Sequence, residues 1–100
     1  MKPRAKDMIT FQIAGYLTEF TNGRAEIKLD SSVTSVGEAL DKLWAEHIGL
    51  RDRVLNEQRQ VRPHVNIFLN SETIRRDRVL ETLIDGDAEI CIMPAVSGGI

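Results

Sequence analysis

Hydrophobic positions along this chain follow two different periods, and the switches between them outline the elements. From Met8 to Ala14 the pattern alternates, with Ile9, Phe11 and Ile13 on one side and Thr10 and Gln12 on the other. Period two predicts a half-buried strand. Gly15 and Asn22-Gly23 bracket a loop, and Asn-Gly marks a turn because both residues tolerate positive φ. A second alternation follows, with Ala25, Ile27 and Leu29 inward and Glu26 and Lys28 outward, which predicts an antiparallel hairpin with the first strand. At Ser35 the period becomes helical: Val36, Ala39, Leu40, Leu43, Trp44 and His47 share one face. Ser35 with Glu38 forms a capping box, each side chain accepting an orphaned backbone N–H. Gly37 lies in the first turn, where a close approach to a strand is expected to require it. Gly49 is placed to stop the helix in a left-handed conformation, and His47 packs or snorkels at the edge of the apolar stripe.

Beyond Gly49 the signal weakens. Leu50, Val54 and Leu55 predict another short helical turn, while Asn56 to Gln60 reads as an exposed loop. Arg51, Arg53, Arg59 and Arg62 read as a solvated face. Val65, Ile67 and Leu69 form the inner side of a third strand that turns at Asn70-Ser71. Arg75, Arg76 and Arg78, interrupted by Asp77, read as a self-neutralised loop. Val79, Leu80 and Leu83 predict one helical turn, and Asp85-Gly86-Asp87 a tight turn into a last strand that buries Ile90 and Ile92. Strand, strand, helix, strand, helical turn, strand is an α+β order, in which one main helix covers one face of the sheet.

Composition narrows the possibilities. The chain has 100 residues, 42% of them hydrophobic, and a formal net charge of -2. A single domain is expected over 1–100, with a flexible N-terminus at 1–7 and a flexible tail at 95–100. Neither half is basic, which argues against nucleic acid as the partner. No apolar stretch is long enough for a membrane span, and the charged start lacks the apolar region of a signal peptide, so the expectation is a cytoplasmic protein without membrane attachment. One cysteine and two histidines, widely spaced, form no metal-ligand pattern. There is no nucleophile elbow, phosphate-cradling glycine loop or H-E-x-x-H. Cys91 sits in an apolar strand without an adjacent cation to lower its pKa, which favours packing over nucleophilic chemistry. The chain should bind no cofactor or metal itself and should not be an enzyme.

The remaining signal is the end of the sequence, Met93-Pro94-Ala95-Val96-Ser97-Gly98-Gly99-Ile100. Pro94 closes the apolar run, because it cannot donate to a ladder. Paired glycines then leave the backbone unobstructed. With Asp85-Gly86-Asp87 upstream, this stretch resembles the C-terminus of the ubiquitin-like sulfur carriers of the MoaD/ThiS family. His64 to Glu72 is similar to the central strand and turn of the MoaD-like/CysO-like branch, and Val33 to Leu40 resembles the opening of its helix. The resemblance implies a β-grasp: a mixed four- to five-stranded sheet, its first and last strands adjacent at the centre, with one main helix packed on one face. It also implies that a ubiquitin-activating-type enzyme adenylates Gly99 with ATP and Mg, that Gly98 supplies clearance, and that a thiocarboxylate then delivers sulfur. The implied partners are that adenylating enzyme, a sulfur donor and a sulfur-accepting enzyme. The departure is Ile100, since mature family members end at the second glycine, and its removal by a processing protease is the expectation. Which pathway is served stays open between molybdopterin, thiamin, cysteine and another metabolite. A ubiquitin-like modifier using the same diglycine, and a non-conjugating binding module on the same fold, remain alternatives. Period two turns Cys91 and Met93 to the sheet face opposite Ile90 and Ile92, where Phe68 also points. That face, together with Pro94, Ala95, Val96 and Ser97, is the expected partner-binding surface.

Overall fold

The computed structural model describes residues 7–95. Five strands form one mixed sheet in the order β2-β1-β5-β3-β4: β1 is Met8–Ile13, β2 Glu26–Asp30, β3 Val65–Leu69, β4 Glu72–Thr73 and β5 Ala88–Pro94. The β1–β5 pair is parallel and central, while β1–β2, β3–β5 and β3–β4 are antiparallel. Helix α1 (Val36–Glu46) covers one face, followed at once by α2 (Ile48–Val54). This is the β-grasp. The alternation in β1 and β5 puts Ile9, Phe11, Ile90 and Ile92 wholly out of solvent, facing Val36, Ala39, Leu40, Leu43 and Trp44 of α1 in one core.

Several expectations change in detail, each for a local reason. The loop after β1 is a 3-10 segment, Gly15–Phe20, entered at Gly15 with φ +62°. Ala25 is exposed, because it precedes β2 where the hairpin leaves the covered part of the sheet. Gly49 does not stop the first helix; it lies inside α2. The break falls at His47 (φ -135°, ψ 65°), which redirects the chain so that Leu50 and Val54 reach the core. His47 is buried, and its Nε2 has no hydrogen-bond partner among the described residues. Glu38 completes the cap one residue early. Ser35 Oγ accepts the Glu38 N–H at 3.1 Å, but the Glu38 carboxylate accepts from Thr34 N–H at 2.7 Å and from the Thr34 hydroxyl at 3.0 Å. Those two bonds hold its carboxyl below the usual range. Leu83 is 77% exposed, whereas Ile84 is buried. Residues there are extended rather than helical, bridging Ser35, so neighbours point to opposite sides.

At both ends of the described residues the chain is hydrogen-bonded. Asp7 is buried and its carbonyl accepts the Ser31 N–H at 3.0 Å. Ala95 donates its N–H to the His64 carbonyl at 2.8 Å. Residues 1–6 and 96–100 lie outside the described residues.

Arg75 pairs with Asp77 at 3.0 Å, as the self-neutralised reading expects, but Arg76 is tethered to backbone instead. Arg76 donates to the carbonyls of Pro63 (2.6 Å) and Val65 (3.2 Å) and to Asn66 Oδ1 (3.0 Å), clamping the start of β3 to the second 3-10 segment, Arg76–Glu81. Gly37 makes its close approach to that same segment and not to a strand: a Cβ there would lie 2.7 Å from the Leu80 carbonyl oxygen. Gly37→Ala should therefore destabilise the protein. With a backbone oxygen only 2.7 Å away, overpacking should cost towards the upper end of its usual range of about 1–3 kcal/mol, against at most roughly 1 kcal/mol of helix propensity that alanine returns. The expected thermal midpoint falls by about 5 °C or more; an unchanged or raised midpoint in a melting curve would refute the close-contact account.

Candidate functional site

The site is built at the C-terminal end of β5, where the central strand delivers the chain to its tail. β5 alternates its backbone bonds between two neighbours. Ile92 turns its carbonyl to the Ala14 N–H at 3.0 Å, and Ala95 turns its N–H to the His64 carbonyl at 2.8 Å. Pro94, between them in phase with Ile92, faces the β1 side, where β1 has already ended. Its missing donor is therefore not needed. Gly15 fills that place, and its closeness is tight: a Cβ on it would lie 3.0 Å from Pro94 Cγ. The chain thus leaves the sheet from a root fixed on both flanks.

The face of the sheet opposite α1 carries Phe68, Cys91 and Met93 side by side. Phe68 pairs with Cys91 across β3–β5, and Gln12 pairs with Cys91 across β1–β5. With Ser71 and Glu89 they line an open depression of about 320 Å³ that runs towards the tail root. Phe68, Cys91 and Met93 are each half-buried, since neighbours across the strands shade one another. Burial pushes the Cys91 thiol above its usual range, and the negative charge of Glu89 adds to this. A thiol so placed is a poor nucleophile at neutral pH and contributes apolar surface instead. Gln12 and Glu89 were legible as outward positions of their strands, but not as companions of Phe68, because strand order is a property of the whole fold.

Of the residues expected to bind partners, the structure brings Phe68, Cys91 and Met93 together and sets Pro94 and Ala95 at their edge. Val96, Ser97, Gly98, Gly99 and Ile100 lie outside the described residues. Among the described residues, no group of three or more His, Cys, Asp or Glu side chains could hold a metal ion, and no helix is long and apolar enough to cross a membrane.

A β-grasp whose central strand ends in such a tail can be compared with known families. The profile of the ThiS family matches residues 11–99, nearly the whole chain. The chain belongs to the ThiS family. Small archaeal modifier protein 3 of Haloferax volcanii is 40% identical over 73 residues, which cover 72% of this chain and 76% of that protein. Sulfur carrier protein CysO of Mycobacterium tuberculosis is 32% identical over 94 residues, covering 91% of this chain and 98% of that one. In the crystal structure of the Amycolatopsis orientalis BexX/CysO complex, one chain superposes with a TM-score of 0.76 at 26% identity, over 91% of this chain and 99% of that chain.

This ThiS-family chain has a second feature that adjoins the tail root through His64, whose carbonyl accepts the Ala95 N–H. Tyr16 from the first 3-10 segment, Asp52 and Arg53 from α2, and Arg62 and His64 before β3 line a polar cleft of about 220 Å³. Arg53 lies over the Phe20 ring, 4.8 Å from its centroid. Arg62 donates Nε–H to the Asp52 carbonyl at 2.9 Å. Nothing in the sequence brings these five residues together; the turn at His47 and the loop at Asn56–Gln60 do.

Proposed function

We propose that this chain is a sulfur carrier whose C-terminal Gly98-Gly99 is activated and loaded by partner enzymes. The observation that carries the reading is the extent of the family match, which runs through Gly98 and Gly99 and stops before Ile100. The name of the relative that matches over 91% of this chain, a sulfur carrier protein, supports it. A carboxylate is a poor electrophile. In an adenylating enzyme, the Gly99 carboxylate attacks the α-phosphorus of ATP held with Mg, and pyrophosphate leaves. Sulfide from a donor then displaces AMP from the acyl adenylate, giving the thiocarboxylate that a sulfur-accepting enzyme consumes. The carrier's own contribution is placement. Two hydrogen-bonded flanks and the ring of Pro94 fix where the tail starts, and residues without side chains let its end reach a narrow site.

In the sequence Gly99 is joined to Ile100, so its carboxyl group must be freed, and a processing protease is part of the proposal. The reading as a ubiquitin-like modifier is kept on one observation, the 40% identity to a protein named a modifier. There the same acyl adenylate ends on a lysine amine as an isopeptide bond. The intact mass of the protein recovered from its own cells tests both. A chain ending at Gly99 with one oxygen replaced by sulfur is the expected species. Lysine adducts through Gly99 would transfer the conclusion to the modifier, and unmodified chain retaining Ile100 throughout would leave only a binding module on this fold.

A further inference from the structure

We propose that the cleft formed by Tyr16, Arg53, Arg62 and His64 at the root of the tail is a docking site for an acidic segment of the adenylating enzyme. The inference rests on the reading of function just given, and deepens it by assigning a second contact surface to that partner.

Four observations support this. The first is charge. The protein as a whole is acidic, with a formal net charge of -2, yet here two guanidinium groups line one cleft. Asp52 also lines the cleft, and its carboxylate is paired with Arg51 at 3.4 Å. Arg53 and Arg62 have no ion pair among the described residues, as is true of Arg24 and Arg76, whereas Arg51, Arg59, Arg75 and Arg78 each have one. The second is preorganisation. Arg53 lies over the Phe20 ring, and among the described residues Arg62 donates through Nε alone, which leaves its two terminal nitrogens to meet a carboxylate in the forked geometry that arginine favours. Ordering these side chains in advance lowers the entropy cost of binding.

The third is composition: a half-exposed tyrosine beside two arginines is the set of residues enriched at the centres of protein interfaces. The fourth is continuity. His64 lines the cleft and its carbonyl accepts the Ala95 N–H, so the cleft adjoins the place where the tail begins. The depression at Phe68 and Met93 gives that enzyme an apolar contact on one side of the root, and the cleft gives it a charged contact on the other. An acidic segment is the complement, because electrostatic matching at such a position steers the encounter and fixes orientation.

The test uses the full chain and the ubiquitin-activating-type enzyme of the same organism. Dissociation constants are measured for the natural protein and for Arg53→Glu, Arg53→Lys and Arg75→Glu, at low and at roughly 0.5 M salt. Arg53→Glu touches no hydrogen bond and should fold normally by circular dichroism and melting. It is expected to weaken binding about tenfold at low salt, with the difference shrinking at high salt where exposed charges are screened. Arg53→Lys should recover most of the loss, and Arg75→Glu, the same charge change near the β4 edge, should bind like the natural protein. Equal affinity of Arg53→Glu, or an equal loss in Arg75→Glu, would overturn the cleft while leaving the carrier reading intact. A chain ended at Gly99 that neither binds nor is adenylated would overturn both.

Discussion

A chain ended at Gly99 is expected to support ATP–pyrophosphate exchange by the adenylating enzyme at least about a hundredfold faster than a chain ended at Ile100. The reason is geometric. One further residue of extended chain carries the terminal carboxylate about 3.5 Å onward, and displacing a reacting group by about 1 Å can already cost a hundredfold in rate. Isoleucine also brings a branched side chain to the place where glycine presents none, so the tail cannot compensate by sliding deeper. The origin of the tail gives little slack either. Pro94 is wedged against Gly15, and Ala95 is bonded to His64, so the distance from the sheet to the activated end is set by the few residues after Ala95. The assay compares initial exchange rates at saturating ATP over a range of carrier concentrations, with the mass of each chain checked afterwards. Equal rates with Ile100 still in place would show that the activating site accepts isoleucine, and trimming would then have no role.

How much of this was legible beforehand depended on whether a residue's environment is local. The strands were, because alternation is a property of a few consecutive residues: Ile9, Phe11 and Ile13 had to share a face, and in the fold they do. The α1 stripe from Val36 to Trp44 was legible for the same reason. Gly49 was misread because a glycine after an apolar stripe is the usual mark of a helix end. Here the chain broke two residues earlier at His47, and burial of Leu50 and Val54 decided where α2 runs. Leu83 was misread by assuming a helical period across residues 82–84, where pairing with Ser35 imposes period two. Arg76 was the least visible of all. Its four carbonyl and amide partners lie 10 to 14 residues away in the sequence, and no spacing rule connects an arginine with backbone oxygens of another loop.

The candidate site divides along the same line. Period two was enough to put Cys91 and Met93 on the face away from α1, and Phe68 on the corresponding face of its own strand. That β3 and β5 would lie side by side, with Phe68 directly across from Cys91, follows only from the strand order. The cleft of Tyr16, Arg53, Arg62 and His64 was invisible, since its members come from three segments whose relation is fixed by the α1–α2 break.

The open sheet face carries the second large expectation. Phe68→Glu and Met93→Glu, made separately, should each weaken binding to the adenylating enzyme by at least about thirtyfold, the equivalent of roughly 2 kcal/mol for a central apolar anchor. A cluster of Phe, Cys and Met beside Gln12 and Glu89 is the apolar part of a face that α1 does not cover. Apolar groups gathered in this way mark interaction sites more often than isolated ones do. Under the proposed function the surface would meet an activating enzyme first and an acceptor afterwards, and methionine suits this because its flexible thioether adapts to differently shaped partners. Both residues are half-buried, so some loss of stability accompanies each charge, and folding has to be checked by melting alongside the binding measurement. Leu83→Glu supplies the control. Leu83 is the more exposed hydrophobic residue at 77% but lies elsewhere on the molecule, next to the start of α1. If exposed apolar surface in general were responsible, Leu83→Glu would weaken binding as well; if the sheet face is the dock, it should leave binding unchanged. Folded Phe68→Glu and Met93→Glu proteins that bind as the natural chain does would remove this face from the account and leave the tail and its basic cleft as the only contacts.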